Sequence, residues 1–340
     1  MALAFVAPLA PQDGRFDAQS RLVLVPVTVT GANGRPIDGL TASDFQLLDN
    51  GHPQQVTVDT FSTGIAPVAL AVAVQSSGIS FAALEKVRDI GAMIQPLITG
   101  ERGCAALVAF DDSIDWLQEC TSDPHVLTLA FNKLRPGDDK SARMLDAVSS
   151  AIDRLSKPPN TRRVLLLISE SRDRGSESGL ESIIVALQAA GVTVYATTYS
   201  AFSSAWTTRA SRPPPLPAEP PAATRPPGQP PPGGKVPAPT PVEQRVDLLG
   251  AVGELLRLGQ ANTTKALAEA TGGDTFSFSR RRGLEEAIAE LGAELHTQYL
   301  LSFVPESPEP GQHRLEVRLP RHHGYTVRAR HAYWPPSGSR

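Results

Sequence analysis

Between Val68 and Thr198 short, wholly apolar runs alternate with stretches of helical periodicity. Val68–Val74, Ala105–Phe110, Val164–Ser169 and Val192–Thr198 read as strands. In Phe81–Ile98 the apolar Leu84, Val87, Ile90, Met93 and Ile94 fall three or four residues apart, which predicts a helix. Further helices are expected near 126–134, 142–155 and 180–190, the last closed by Gly191. Strands that are apolar throughout are covered on both faces, so the alternation predicts an α/β unit with a mainly parallel sheet.

One pair of strands breaks the rule. Cys104–Phe110 and Ile114–Cys120 are too close for a crossover helix, so they predict an antiparallel hairpin at one sheet edge. A turn centred on Asp112 places Cys104 opposite Cys120, within reach of a disulfide; a one-residue bulge would defeat that register. The alternative is two independent buried thiols. A disulfide would agree with an oxidising compartment.

The chain's two ends follow a different pattern. Leu22–Thr30 is rich in β-branched residues, and Gly31–Gly34 and Asp49-Asn-Gly51 are turn signals. Gln298–Val304, His313–Leu319 and Tyr325–His331 read as three more strands. Segments 21–62 and 299–334 are expected to pair into one small β domain beside an α/β unit spanning 66–298. Within that unit 14 of the 31 prolines fall between Pro213 and Pro241, so 211–241 is expected to leave the packed fold. After it come an expected helix over 242–271 ending at Gly272-Gly273, a strand over 275–279 and a helix over 284–298. At the amino end, residues 1–20 contain the apolar run Ala2–Ala10 closing on Ala7-Pro-Leu-Ala10. It reads as a secretory signal remnant without a basic leader.

Composition narrows the function classes. A length of 340 residues suggests about two domains at ~150 residues each. A formal charge of −3 gives no general attraction to polyanions, which argues against nucleic acid as a partner. No apolar run approaches the roughly 18 to 20 residues of a membrane-spanning helix.

Three phrases, in order, carry a resemblance. They are VPVTVTGANGRPIDGLTASDFQLLDNGHPQQV near the start, ALAEATGG at 266–273, and ELHTQYLLSFVP with HRLEVRLPRHHGYTVRARHAYW near the end. Together they resemble the bacterial von Willebrand factor A-related (VWFA-related) family over about Arg21–Trp334, apart from the Pro-rich stretch. The resemblance implies a Rossmann-like A-type domain and export, hence a secreted or periplasmic location. It also implies a metal-ion-dependent adhesion site (MIDAS) at the carboxyl ends of the strands, where Asp-x-Ser-x-Ser, a Thr and a further Asp hold Mg²⁺ or Mn²⁺.

This sequence departs from that pattern. Gln75 stands where the Asp is expected, Ser77 keeps the first hydroxyl, and Ile79 replaces the second. The third contribution falls at Ser141 or Ala142, and Glu170 replaces the last Asp. One carboxylate with a few neutral oxygens competes poorly with the water shell of a small dication, so the site is expected to be degenerate and metal-free. The leading expectation is a non-enzymatic module that binds a protein or cell-surface ligand at the carboxyl-end rim of the sheet, where open α/β sheets take their ligands, with the resemblance assigning Gln75, Ser77, Ile79, Ser141 and Glu170 to that rim. Two alternatives stand beside it: an atypical metal site using Glu170, and a scaffold tethering partners through its Pro-rich loop.

Other constellations are weaker. Asp111, Asp112 and Asp115 read as a polar hairpin turn rather than a metal cluster. The pair His322-His323 lacks zinc-like spacing. The stretch 312–331 holds five Arg and four His against one Glu. Its alternation, including Arg328 and Arg330 with Val327 and Ala329, predicts a solvated sheet face rather than an anion-binding patch. No Gly-x-Ser-x-Gly elbow occurs, and Thr271-Gly-Gly-Asp274 follows a helix instead of opening one.

Overall fold

The computed structural model describes residues 22–60, 66–79, 81–137, 141–198, 262–277, 281–305 and 311–335. The leading segment 1–20 and the Pro-rich stretch 211–241 lie outside them. The chain opens with β1 (Val23–Thr30), β2 (Gln46–Asp49), β3 (His52–Gln54) and β4 (Thr57–Asp59). The α/β part runs β5 (Val68–Gln75), α1 (Phe81–Asp89), α2 (Gly91–Ile94), β6 (Cys104–Phe110), β7 (Ile114–Thr121), α3 (Pro124–Phe131), α4 (Met144–Leu155), β8 (Arg162–Ser169), α5 (Leu180–Ala190) and β9 (Val192–Thr198). It continues with α6 (Thr263–Thr271), β10 (Thr275–Ser277) and α7 (Arg281–Thr297), before β11 (Tyr299–Phe303), β12 (His313–Arg318), β13 (Thr326–Ala329) and β14 (Ala332–Tyr333) close the fold.

The central sheet has the order β10-β9-β8-β5-β6-β7. Every pairing is parallel except that of β6 with β7 at the edge. Counted in chain order this is the doubly wound arrangement 3-2-1-4-5-6, whose connections diverge between β5 and β8. All eight residues of β5 are buried. Val68, Leu70, Val72 and Val74 face a core completed by α1, α3 and α7, while Ala69, Ala71 and Ala73 face α4, α5 and α6. The small side chains on the second face let those helices approach the sheet closely.

The helix expected over 81–98 is broken into α1, α2 and a π-helical turn, Gln95–Thr99. Pro96 lacks the N–H that an α-helix requires there, and the Gly100 N–H instead reaches back five residues to the Gln95 carbonyl at 2.8 Å. The helix expected over 242–271 is also corrected: Asn262 has extended backbone (φ −154°) and caps α6 by accepting the Lys265 N–H at 2.9 Å. The helix therefore starts at Thr263, and residues 242–261 lie outside the described ones.

The edge hairpin keeps the expected register from Phe110↔Ile114 to Val108↔Trp116, then slips twice, to Leu107↔Gln118 and Ala105↔Thr121. Cys104 no longer faces Cys120 directly, yet the two are joined by a disulfide with Cα atoms 5.3 Å apart. Because Ala105 faces Thr121, the preceding residues Cys104 and Cys120 both point to the opposite face of the ladder. Two slips cancel in parity, so the expected defeat by a bulge does not occur.

Strands from both ends of the chain form two four-stranded sheets, β13-β1-β11-β4 and β14-β12-β2-β3. Val23, Val25, Val27 and Val29 alternate inward from β1 and share one core with Leu47, Tyr299, Phe303, Leu315 and Tyr333 from both sheets, giving a small β-sandwich. Asn50 and Gly51 both have positive φ (48° and 85°), the backbone that a tight β2–β3 turn requires. One sequence reading fails here. Arg328 is only 28% exposed and pairs with Asp274 and Glu294, and Arg330 is buried, so neither lies on a solvated face. Strand β13 turns that face toward the α/β unit, and the alternation could not reveal what packs against it.

Candidate functional site

Ligands of open α/β sheets bind outside the carboxyl ends of the strands where the connections diverge, here between the ends of β5 and β8. Gln75 ends β5 with no exposed surface. Its Oε1 accepts the Glu170 N–H at 3.0 Å, and its Nε2 donates to the Ser77 carbonyl at 3.1 Å and lies 3.4 Å from the Ser77 Oγ. One partner can only donate and another can only accept, which fixes the orientation of the amide.

The next residues form a tight crown. Ser77 is buried and bridges to Gly137, whose N–H donates to the Ser76 carbonyl at 2.9 Å. Gly78 has φ +67°, a conformation that favours glycine, and its open side faces the Glu170 carboxylate. Glu170, following β8, pairs with Arg174 at 3.0 Å. Arg174 is itself held by the backbone. Its carbonyl accepts the Ala142 N–H at 2.7 Å and the Ser141 hydroxyl at 3.0 Å, and its N–H donates to the Ala142 carbonyl at 2.9 Å.

The structure therefore brings Gln75, Ser77, Ser141 and Glu170 to one crown but leaves Ile79 out. The Ile79 side chain sits in the core with Leu84 and Val87 and is not part of a contact surface. Gln75 and Ser77 lie beneath the rim, whereas Ser141, Glu170 and the exposed Arg174 reach its surface. Arg174 is the crown residue missed from sequence; the available signal was a carboxylate and a guanidinium four residues apart, Glu170 and Arg174.

Two further carboxylates staple the crown loop to the start of α4. Asp173 accepts the Leu145 N–H at 3.0 Å and the Ser176 hydroxyl at 2.6 Å. Asp146 accepts the Glu177 and Ser178 N–H groups at 3.0 and 2.9 Å and Arg143 at 2.9 Å. Burial alone would raise the Asp146 pKa. Hydrogen bonding from Ser178 and Glu177, with Arg143, overcomes that and holds it at about 2.

At the positions the resemblance assigns to a cation, an amide nitrogen points at the Ser77 oxygens, and the Glu170 carboxylate is paired with the Arg174 guanidinium. Elsewhere, Asp111 accepts from the Ser113 N–H and hydroxyl, as a polar turn does, and His322 meets Asp44 at 2.9 Å and stacks on Tyr325. Among the described residues no group of three or more His, Cys, Asp and Glu is arranged to hold a metal ion. No helix among them is long and apolar enough to cross a membrane.

No protein-family model matches the chain, and no curated protein matches it. Similar solved structures include a von Willebrand factor type A protein from Catenulispora acidiphila, at 9% identity over 95% of this chain and 76% of that one with a TM-score of 0.45. They also include an aerotolerance-related membrane protein from Bacteroides fragilis, at 13% identity over 66% of this chain and 98% of that one with a TM-score of 0.42. A third is proximal thread matrix protein 1 from the mussel byssus with a zinc-occupied MIDAS motif, at 12% identity over 40% and 38% with a TM-score of 0.35. Strand order, the single antiparallel edge strand and helices on both faces make the central unit a doubly wound, Rossmann-like α/β fold, carried on a β-sandwich built from strands near the two ends of the chain.

Proposed function

We propose that this chain is a non-enzymatic, exported binding module that recognises a protein or cell-surface ligand at the crown of its central sheet without a coordinated cation. The observation that carries this reading is the Glu170–Arg174 pair above the buried Gln75 amide, at the point where an A-type domain would hold its metal. An internal guanidinium supplies the positive charge, so recognition rests on shape and on the polar rim of Ser141, Glu170 and Arg174. Three hydroxyls around the crown donate to local acceptors: Ser76 to the Phe110 carbonyl, Ser141 to the Arg174 carbonyl and Ser169 to the Glu170 carbonyl. That commitment supports a binding role over nucleophilic chemistry. Export is supported by the Cys104–Cys120 disulfide, a bond that persists in oxidising compartments.

The test is photo-crosslinking from position 172, on the exposed rim, in the native envelope fraction, with wild type compared against Glu170→Arg, Arg174→Glu and the double reversal. The expected result is one captured partner, lost in both single variants and regained in the double. Calorimetric titration of the purified chain with Mn²⁺ is expected to show no micromolar binding. Micromolar Mn²⁺ binding abolished by Glu170→Ala would restore a metal-dependent mechanism, and loss of the partner only on deleting 211–241 would move recognition to the Pro-rich segment.

A further inference from the structure

At the opposite end of the central sheet from the crown, a cleft of about 350 Å³ lies between the α/β unit and the sandwich. Its lining includes Arg162 and Arg163 at the start of β8, Arg330 just after β13, and Trp334. Among the described residues no Asp or Glu lines it. The guanidinium groups have backbone carbonyls as their hydrogen-bond partners. Arg162 donates to Ala66 at 3.1 Å and Leu295 at 2.9 Å, Arg163 to Ala190 at 2.6 Å, and Arg330 to Leu24 at 2.6 Å and Gln188 at 3.4 Å. The contacts to Gln188 and Ala190 satisfy the carboxyl end of α5, which gives these arginines a structural task.

That task leaves donors over. Among the described residues the Nε of Arg163, the Nε of Arg330 and the indole Nε1 of Trp334 are buried without a hydrogen-bond partner, and all three residues line this one cleft. Arg330 is 9% exposed and Arg162 7%. Cations at such depth are normally matched by an anion, because desolvation of an unpaired charge is expensive. Burial accordingly pulls the pKa of both Arg162 and Arg330 down to about 10, opposed only by the nearby Tyr195 and Tyr333.

The remaining walls are mixed, with Asn160, Thr161, Thr193 and Gln298 beside an apolar part. Leu22, Leu24, Pro26, Val164 and Leu300 line the same space, and Leu22 and Leu24 are 49% and 37% exposed. We propose that this cleft binds an oxyanion, a carboxylate or phosphate, carried on an apolar body. The arginines and the Trp334 indole receive the oxygens, and the leucines cover the apolar part. The site is independent of the crown, so either can fail without the other.

Calorimetric titration of the full chain with octanoate and with inorganic phosphate tests this, with indole fluorescence followed in parallel. One octanoate is expected to bind per chain, with phosphate weaker and competing for the same site, and with a spectral shift that is absent in Trp334→Phe. Arg163→Gln removes an unmatched donor and one backbone contact, that to Ala190, and is expected to weaken octanoate binding at least tenfold while the chain stays folded with a modestly lower thermal midpoint. Arg330→Gln is expected to abolish binding; if it fails to fold, Arg163→Gln decides the matter. Absence of saturable octanoate binding to the wild type, or affinity unchanged in Arg163→Gln, overturns the proposal.

Discussion

Gln75 accepts the Glu170 N–H through its side-chain oxygen at 3.0 Å, so a side chain at the end of β5 ties down the residue that follows β8. Replacing the amide by an apolar group of similar size, Gln75→Leu, strands that N–H and the Ser77 carbonyl in a buried setting. At about 1 to 3 kcal/mol for each unsatisfied group, the variant is expected to lose roughly 2 to 6 kcal/mol in urea denaturation. Gln75→Asp is expected to be destabilised as well, since the shorter carboxylate cannot donate to Ser77 and adds a charge facing Glu170. A Gln75→Asp variant as stable as wild type would contradict this account of the crown.

A second polar network locks the two units together. The Tyr195 hydroxyl donates to Glu294 at 2.6 Å, Thr28 of β1 donates to the same oxygen at 3.1 Å, and Arg328 of β13 pairs with that carboxylate. Burial, with Glu294 beside it, pushes the Tyr195 pKa well above its usual value. Glu294→Ala leaves Arg328 with only the half-exposed Asp274 as an acidic partner, and is expected to cost about 3 to 5 kcal/mol. Differential scanning calorimetry should show a lower midpoint, whereas a change under 1 kcal/mol would mean that the network is not a lock.

The disulfide closes a loop with a sequence separation of 16. Chain-entropy reasoning assigns about 3 kcal/mol to a loop of that size. The double variant Cys104→Ser, Cys120→Ser should therefore unfold at lower urea by about that amount. Reductant should produce the same change in the wild type and none in the variant, and equal stability with and without reductant would remove the edge hairpin from the stability argument.

Acid should loosen the crown loop before it unfolds the sheet. The Asp146 pKa is about 2, below its ordinary value of 3.8, so its contribution is present above about pH 4 and is lost as pH falls through about 2. Allowing for partial screening by solvent, the effect is of order 1 kcal/mol. Asp146→Asn is expected to flatten the stability profile between pH 4 and 2. An unchanged profile would show that the N–H groups of Glu177 and Ser178 do not depend on this charge.

Much of the fold was legible because burial leaves a simple trace. The helix Leu180–Ala190 and the strand Val192–Thr198 have the bounds read from apolar periodicity, and Gly191 between them adopts the left-handed backbone expected of a helix stop. Pairing of the two chain ends was legible because strand patterns flank one α/β unit and the ends of a domain tend to lie close together. What periodicity could not show was the neighbour of each face. Arg328 and Arg330 alternate like solvated residues, but Glu294 of α7 and Asp274 just before β10 pair with one and a cleft takes the other. At the crown, Gln75, Ser77 and Glu170 could be placed from the resemblance, whereas Arg174 could not, because its role depends on how a loop folds back onto Ala142. Ile79 was misplaced for a related reason: a loop residue between a strand and a helix can point either way, and here it packs under α1.

Strands β4 and β11, which lead into and out of the α/β unit, lie hydrogen-bonded side by side, with Val58 opposite Leu301. The unit is thus a closed excursion from the sandwich, and the described chain both starts and finishes on sandwich strands. Tension applied at those two ends is resisted by the sandwich strands and the zipper between them, while the crown-bearing unit stays outside the load path and keeps its shape until the β4–β11 clasp tears.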